Sequence, residues 1–192
     1  MTTQQQKIGG YTGANVPGVL NLYLIDTKEV LSVLDPVRHR IPGASMTTIA
    51  AGGILLSRGA MITRMKFPPL ACSYIQTIER TDGGLISKVQ IEFSMPASRQ
   101  DILAFYMENW QKRFVGLIED ANRLAYVVGN EERGLMMQIG QTVNSINANT
   151  VSLAGNFATP AFLLEASPAG LVLADHFRDT DFGIDFSLDF NA

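Results

Sequence analysis

Few residues in this chain are of a type and spacing suited to chemistry: His39 and His176, the single Cys72, the adjacent Glu131 and Glu132, and the series Asp179, Asp181, Asp185. The two histidines stand far apart and neither belongs to a His-Glu-x-x-His or other zinc-ligand spacing, so each reads as an ordinary polar side chain. Cys72 sits between Ala71 and Ser73 without a nucleophile signature, and a lone cysteine excludes both an internal disulfide and a cysteine-rich metal site. Glycoside hydrolysis needs two carboxyls facing each other across a bond, whereas neighbours such as Glu131 and Glu132 on a turn point apart. The segment Asp179-Thr180-Asp181-Phe182-Gly183-Ile184-Asp185 echoes a calcium loop. It lacks the glycine that follows a third oxygen-bearing position and the closing glutamate. There is no Gly-x-Ser-x-Gly elbow. The glycines at 9, 10 and 13 are not followed by the lysine and hydroxyl residue of a phosphate loop, nor preceded by the strand of a dinucleotide site. No catalytic, cofactor-binding or metal-ligating residue is nominated, and a non-enzymatic protein without cofactor is expected.

The chain that would position any site is long enough for one well-buried core: 192 residues, 46% hydrophobic and 17% charged. No run of about 18 apolar residues suggests a membrane span, and the polar start Thr2-Thr3-Gln4-Gln5-Gln6-Lys7 is unlike a secretory signal. Residues 1–18 are polar and glycine-rich and read as a flexible arm. One β domain is expected over residues 19–166. Residues 19–25 make a strand apolar on both faces, and residues 35–69 are short apolar pieces punctuated by Pro36, Pro42, Gly43, Gly52, Gly53, Gly59, Pro68 and Pro69. Loops of that length inside a domain are usually functional. Here the two readings are a surface that reaches another subunit and a merely irregular connection.

Local patterning is clearest from residue 74 onward. Residues 74–80 and 85–95 flank Thr81-Asp82-Gly83-Gly84, a hairpin turn whose Asp-Gly-Gly supplies positive φ. Val89, Ile91, Phe93 and Met95 alternate with Gln90, Glu92 and Ser94, the two-residue period of a half-buried strand. Pro96 ends it. Ser98 and Asp101 then cap a helix reaching Trp110, with Ile102, Phe105, Tyr106 and Trp110 as its apolar stripe plugging the sheet. Strands at 114–119 and 124–128 flank an Asp120-to-Arg123 turn, and further strands follow at 135–143 and 150–156. The expected fold is mainly β: an antiparallel sandwich or barrel with one flanking α-helix and extended terminal arms and loops.

Charge is laid out unevenly. Between residues 36 and 78 there is no acid, while Arg38, Arg40, Arg58, Arg64 and Lys66 carry +5; residues 167–192 hold five aspartates against Arg178, a net of −4. Three readings stand: a nucleic-acid surface, ordinary solvated faces, or an acidic end docking on a neighbour's basic window. The last residues alternate without a slip, with Phe182, Ile184, Phe186, Leu188 and Phe190 on one face and Gly183, Asp185, Ser187 and Asp189 on the other. Such a strand either completes its own sheet or is donated to a neighbour's edge. Subunit-interface candidates are therefore the five cations together with Asp181, Phe182, Ile184, Phe186, Leu188 and Phe190. Gln90, Glu92 and Ser94 are candidates for a second exposed face.

The succession of strand, Asp82-Gly83-Gly84 turn, strand, helix to Trp110 and paired strands carries further layout motifs: Arg113-Phe114-Val115 before Glu119-Asp120-Ala121-Asn122, Val128-Gly129-Asn130, and Ser152-Leu153-Ala154-Gly155-Asn156-Phe157 running to Pro160. Over roughly residues 74–165 this resembles tail-tube-like structural proteins of tailed bacteriophages, particularly those of the Bacteroidetes group. The resemblance implies a β-sandwich or barrel subunit of stacked, commonly hexameric rings. Their inner strands would line a DNA channel, with Gln90, Glu92 and Ser94 facing the channel or a neighbour. It implies partners in copies of itself and other tail proteins, DNA only as passing cargo, no membrane, and location in the virion tail after assembly in the host bacterial cytoplasm. Competing readings are a head-to-tail connector, a tail terminator, a decoration protein, or a non-viral β-sandwich binding module.

Overall fold

A computed structural model describes residues 16–39, 45–96, 100–142, 148–165 and 168. The expected helix cap at Ser98, residues 40–44 with Arg40, and the C-terminal residues from 169 with His176 lie outside them, as does the calcium-like spacing at 179–185. Among the described residues twelve strands run in chain order: β1 (Val19–Asp26), β2 (Val30–Val33), β3 (Thr48–Ile49), β4 (Ile54–Leu56), β5 (Ile62–Lys66), β6 (Cys72–Thr81), β7 (Gly84–Pro96), β8 (Arg113–Asp120), β9 (Ala125–Val128), β10 (Leu135–Thr142), β11 (Ala148–Phe157) and β12 (Phe162–Leu164); the helix α1 (Gln100–Asn109) follows β7. The protein is mainly β with one helix, its main sheet curled into a half-barrel.

β8 is the axis of that sheet. One edge pairs with β1 along its length; the other pairs with β9 through residues 116–119 and with β10 through Phe114 and Arg113. From β10 the sheet continues through β11 and β7 to β6, from β9 through β12 to β3, and β5 pairs with the far side of β1. Because β8 is covered on both faces, it reads as a continuous apolar run, as does β1. Leu22, Leu24, Phe114 and Ile118 enter a larger core with Ile91, Phe93, Leu135, Val151 and Leu153. Tyr23, Ile25, Val115 and Leu117 enter a second core, capped by Val30, Val33 and Ile54 of the small β2–β4 sheet. The described part of the region 35–69 is thus short strands and loops, as its punctuation indicates: Ile49, Ile54 and Ile62 enter the second core, and Met65 and Phe67 the larger one.

Turn chemistry accounts for the connections. The Asp120 carboxylate accepts from the backbone N–H groups of Asn122 and Leu124, and Arg123 takes the left-handed conformation at φ 66°. In the β6–β7 hairpin positive φ falls only on Gly84, at 118°, so Asp82 and Gly83 turn without the φ values expected of them. Gly134 shows why β10 can turn onto β8. A Cβ there would lie 2.7 Å and 2.8 Å from the backbone N and O of Phe114, a contact only glycine avoids.

The helix departs from expectation at one residue. Phe105 and Tyr106 pack against the larger core, but Trp110 is 48% exposed rather than core. At about 100° per residue, Trp110 lies about 140° round the axis from Phe105. Asn109 is the residue turned inward there, donating to the Phe105 carbonyl and accepting from Lys112.

Cys72, the first residue of β6, is 2% exposed, and burial pushes its thiol up from 9.0 to about 12. At pH 8 it is expected to react with a disulfide reagent about a thousandfold more slowly than an ordinary cysteine, because the thiolate is the nucleophile. The normal rate should return in denaturant; rapid native labelling would contradict this burial.

Candidate assembly surface

The β10–β11–β7–β6 part of the sheet has an outer face turned away from the larger core. Alternation along β7 puts Val89, Ile91 and Phe93 inside and leaves Gln90, Glu92 and Ser94 exposed outside. Register aligns these with β11: Gln90 with Ala154, Glu92 with Ser152 and Ser94 with Thr150. Gln138 of β10 stands opposite Ser152, and Ser73 and Ile75 of β6 stand opposite Glu92 and Gln90. Small and neutral polar side chains dominate this surface. Glu92 accepts from Gln90 at 2.6 Å, and Lys88 pairs with Glu79 at 2.7 Å towards the hairpin tip.

β6 forms the rim of this face and, among the described residues, pairs only with β7. Its register runs unbroken from Cys72 opposite Phe93 to Thr81 opposite Gly84. The strand has no proline, lysine or bulge, and its charged residues, Glu79 and Arg80, fall only at the hairpin end, so the stretch from Cys72 to Ile78 lacks the devices that usually blunt an edge; Ile75 and Ile78 are each 55% exposed. Beneath its outer half the core gives way to a polar chain: the Tyr74 hydroxyl donates to Gln76 (2.9 Å), which donates to the buried Ser87 hydroxyl (2.8 Å). The hairpin therefore stands out beyond the apolar core as a ten-residue edge strand.

The basic window does not act as one patch. Arg38 is spent inside the subunit: its Nε meets Asp35 at 2.5 Å and its Nη1 meets Glu131 at 3.1 Å. Glu131 also accepts from the backbone N–H of Val33, tying the loop before β10 to β2. Burial alone would raise the Asp35 carboxyl; the hydrogen bonds and charge of Arg38, with the Val37 N–H, outweigh it and hold Asp35 below the usual carboxylate range. Glu131 is lowered in the same way, burial being outweighed by backbone N–H groups and by Arg38.

Arg64 is also engaged. It lies 5.4 Å from the centre of the Tyr23 ring and donates to Asn21, which donates to Glu119. Arg58 and Lys66 are exposed. The members Asp35, Glu119 and Glu131 were not nominated from sequence. Asp35 before Pro36 with Arg38 three residues on is a local turn signal, but Glu131 and Glu119 meet their partners only through the fold.

Among the described residues no group of three or more His, Cys, Asp or Glu could hold a metal ion, and no helix is long and apolar enough to cross a membrane. His39 is exposed. The chain matches no protein-family model, and neither curated proteins nor solved structures give a significant match.

Proposed function

We propose that this protein is a virion structural subunit that assembles with copies of itself into the stacked rings of a phage tail tube. The observation that carries the reading is the unblunted β6 edge beside a broad, nearly neutral sheet face. An edge with ten residues of main-chain donors and acceptors is a template for another strand. The adjoining row of Gln90, Glu92, Ser94, Thr150, Ser152 and Gln138 carries no cation and suits a channel wall along which DNA phosphates slide, the arginines Arg113 and Arg133 standing apart at the β8 end of the face. The net charge of −3 favours sliding over binding. The work is mechanical, with no turnover and no cofactor.

Negative-stain imaging of purified full-length protein tests this. Rings that stack, or open tubes, are the expected result. A closed ring that never stacks would replace the tube with a terminator or connector, and a monodisperse monomer at high concentration would overturn assembly altogether.

A further inference from the structure

On the outer face where β8 hands over to β10 there is an open cleft of about 430 Å³. Its floor is Met136, which register places between Arg113 of β8 and Ala154 of β11 and which is 48% exposed. Arg113 and Arg133 flank it, with the amides of Gln138 and Asn156 on the remaining sides. Both arginines are exposed, and among the described residues neither guanidinium meets a carboxylate. The cleft thus offers two free cations beside an exposed thioether, a surface that favours an aromatic ring and a carboxylate held close together.

The chain carries that pair three times. Asp181-Phe182, Asp185-Phe186 and Asp189-Phe190 repeat at a spacing of four residues, within the segment whose five aspartates face a single arginine. We propose that the Arg113/Arg133 cleft receives an Asp-Phe unit from the C-terminal segment of a second copy, bound in a turn and not as an extended strand, so that the carboxylate meets the arginines and the ring meets Met136. This rests on the self-assembly reading above. The described chain leaves β12 with Leu164 beside Ala125, which pairs with Glu119. That point is six residues along β8 from Arg113, about 20 Å away, a distance that the 17 residues from Leu164 to Asp181 also span within one copy, so it is association, and not reach, that identifies the second copy as the occupant. Arg38 and Arg64 of the basic window are already committed within the subunit, whereas the two arginines of this cleft are, among the described residues, without a carboxylate partner.

Charge exchange in the full-length chain tests the contact. Association is measured by light scattering across concentration for four proteins: wild type, R113E/R133E, D181K/D185K/D189K, and the five substitutions combined. Each partial variant should need about tenfold more protein to assemble, and the combination should restore assembly, because opposite charges then face each other again. R113Q/R133Q, with circular dichroism, separates lost contact from lost folding and should weaken assembly in the same direction. Wild-type assembly that none of these substitutions shifts would overturn the docking while leaving the tube reading intact. A wild type that stays monomeric would overturn both. If R113E/R133E abolishes retention of double-stranded DNA and leaves association unchanged, the cleft serves nucleic acid and the proposal falls.

Discussion

Replacing Arg38 by alanine should lower the unfolding free energy by about 3 kcal/mol, since it strands the Asp35 carboxylate, 4% exposed, without its counter-charge. For a chain of this size that is a fall of about 6–12 °C in Tm. The cost exceeds that of a surface ion pair because one guanidinium closes two contacts. It holds Asp35 at the end of β2 and Glu131 in the loop before β10, and through Glu131 and the Val33 N–H it fastens the β2–β4 cap over the second core. Arg38→Lys should lose less, keeping the charge but not the fork that reaches both acids.

The pH dependence follows from the same geometry. Both carboxyl groups are depressed in the folded protein, so their contribution is fully present above the ordinary carboxylate range, about pH 4. It is lost as pH falls through the depressed folded values. Urea unfolding at pH 7 and pH 3 checks both points: the gap between wild type and R38A should be smaller at pH 3 than at pH 7. An equal gap at both would show that Arg38 acts through packing of its stem and not through the two acids.

What could be read from the sequence was what period and turn chemistry encode locally. The alternation of Val89, Ile91 and Phe93 with Gln90, Glu92 and Ser94 put the right side chains outward, and the doubly apolar residues 19–25 indicated a strand covered on both faces. The Asp120 and Gly84 turns lay where their residue types indicated. Trp110 misled because its apolar character matches the helix stripe while its position, just past the last helical residue, turns it away. The basic window was legible only in part, for a different reason. Charge counted along the chain cannot tell a free cation from one paired across the fold, and Arg38 meets Glu131 across 93 residues of sequence. The Arg113/Arg133 cleft escaped notice likewise, since the two residues meet only because Gly134 lets β10 turn tightly onto β8.

The β6 edge gives the strongest test of the assembly reading. Ile75→Lys combined with Ile78→Lys should leave the fold intact, because each side chain is more than half exposed and deletion from the core is not involved. Unfolding free energy should change by less than about 1 kcal/mol. Self-association, by contrast, should be lost, because inserting lysines is the usual means by which a sheet edge is kept from pairing. Two buried, like-charged ammonium groups would also have to be desolvated in the joint. A control with the lysines at Arg80 and Asp82, beside the turn, should assemble as wild type does. Light scattering at matched concentration reads all three proteins. If the Ile75/Ile78 variant still forms rings or tubes, β6 is not the joint, and subunits would have to meet through another exposed apolar surface, of which the helix ridge Leu103, Met107 and Trp110 is the next candidate.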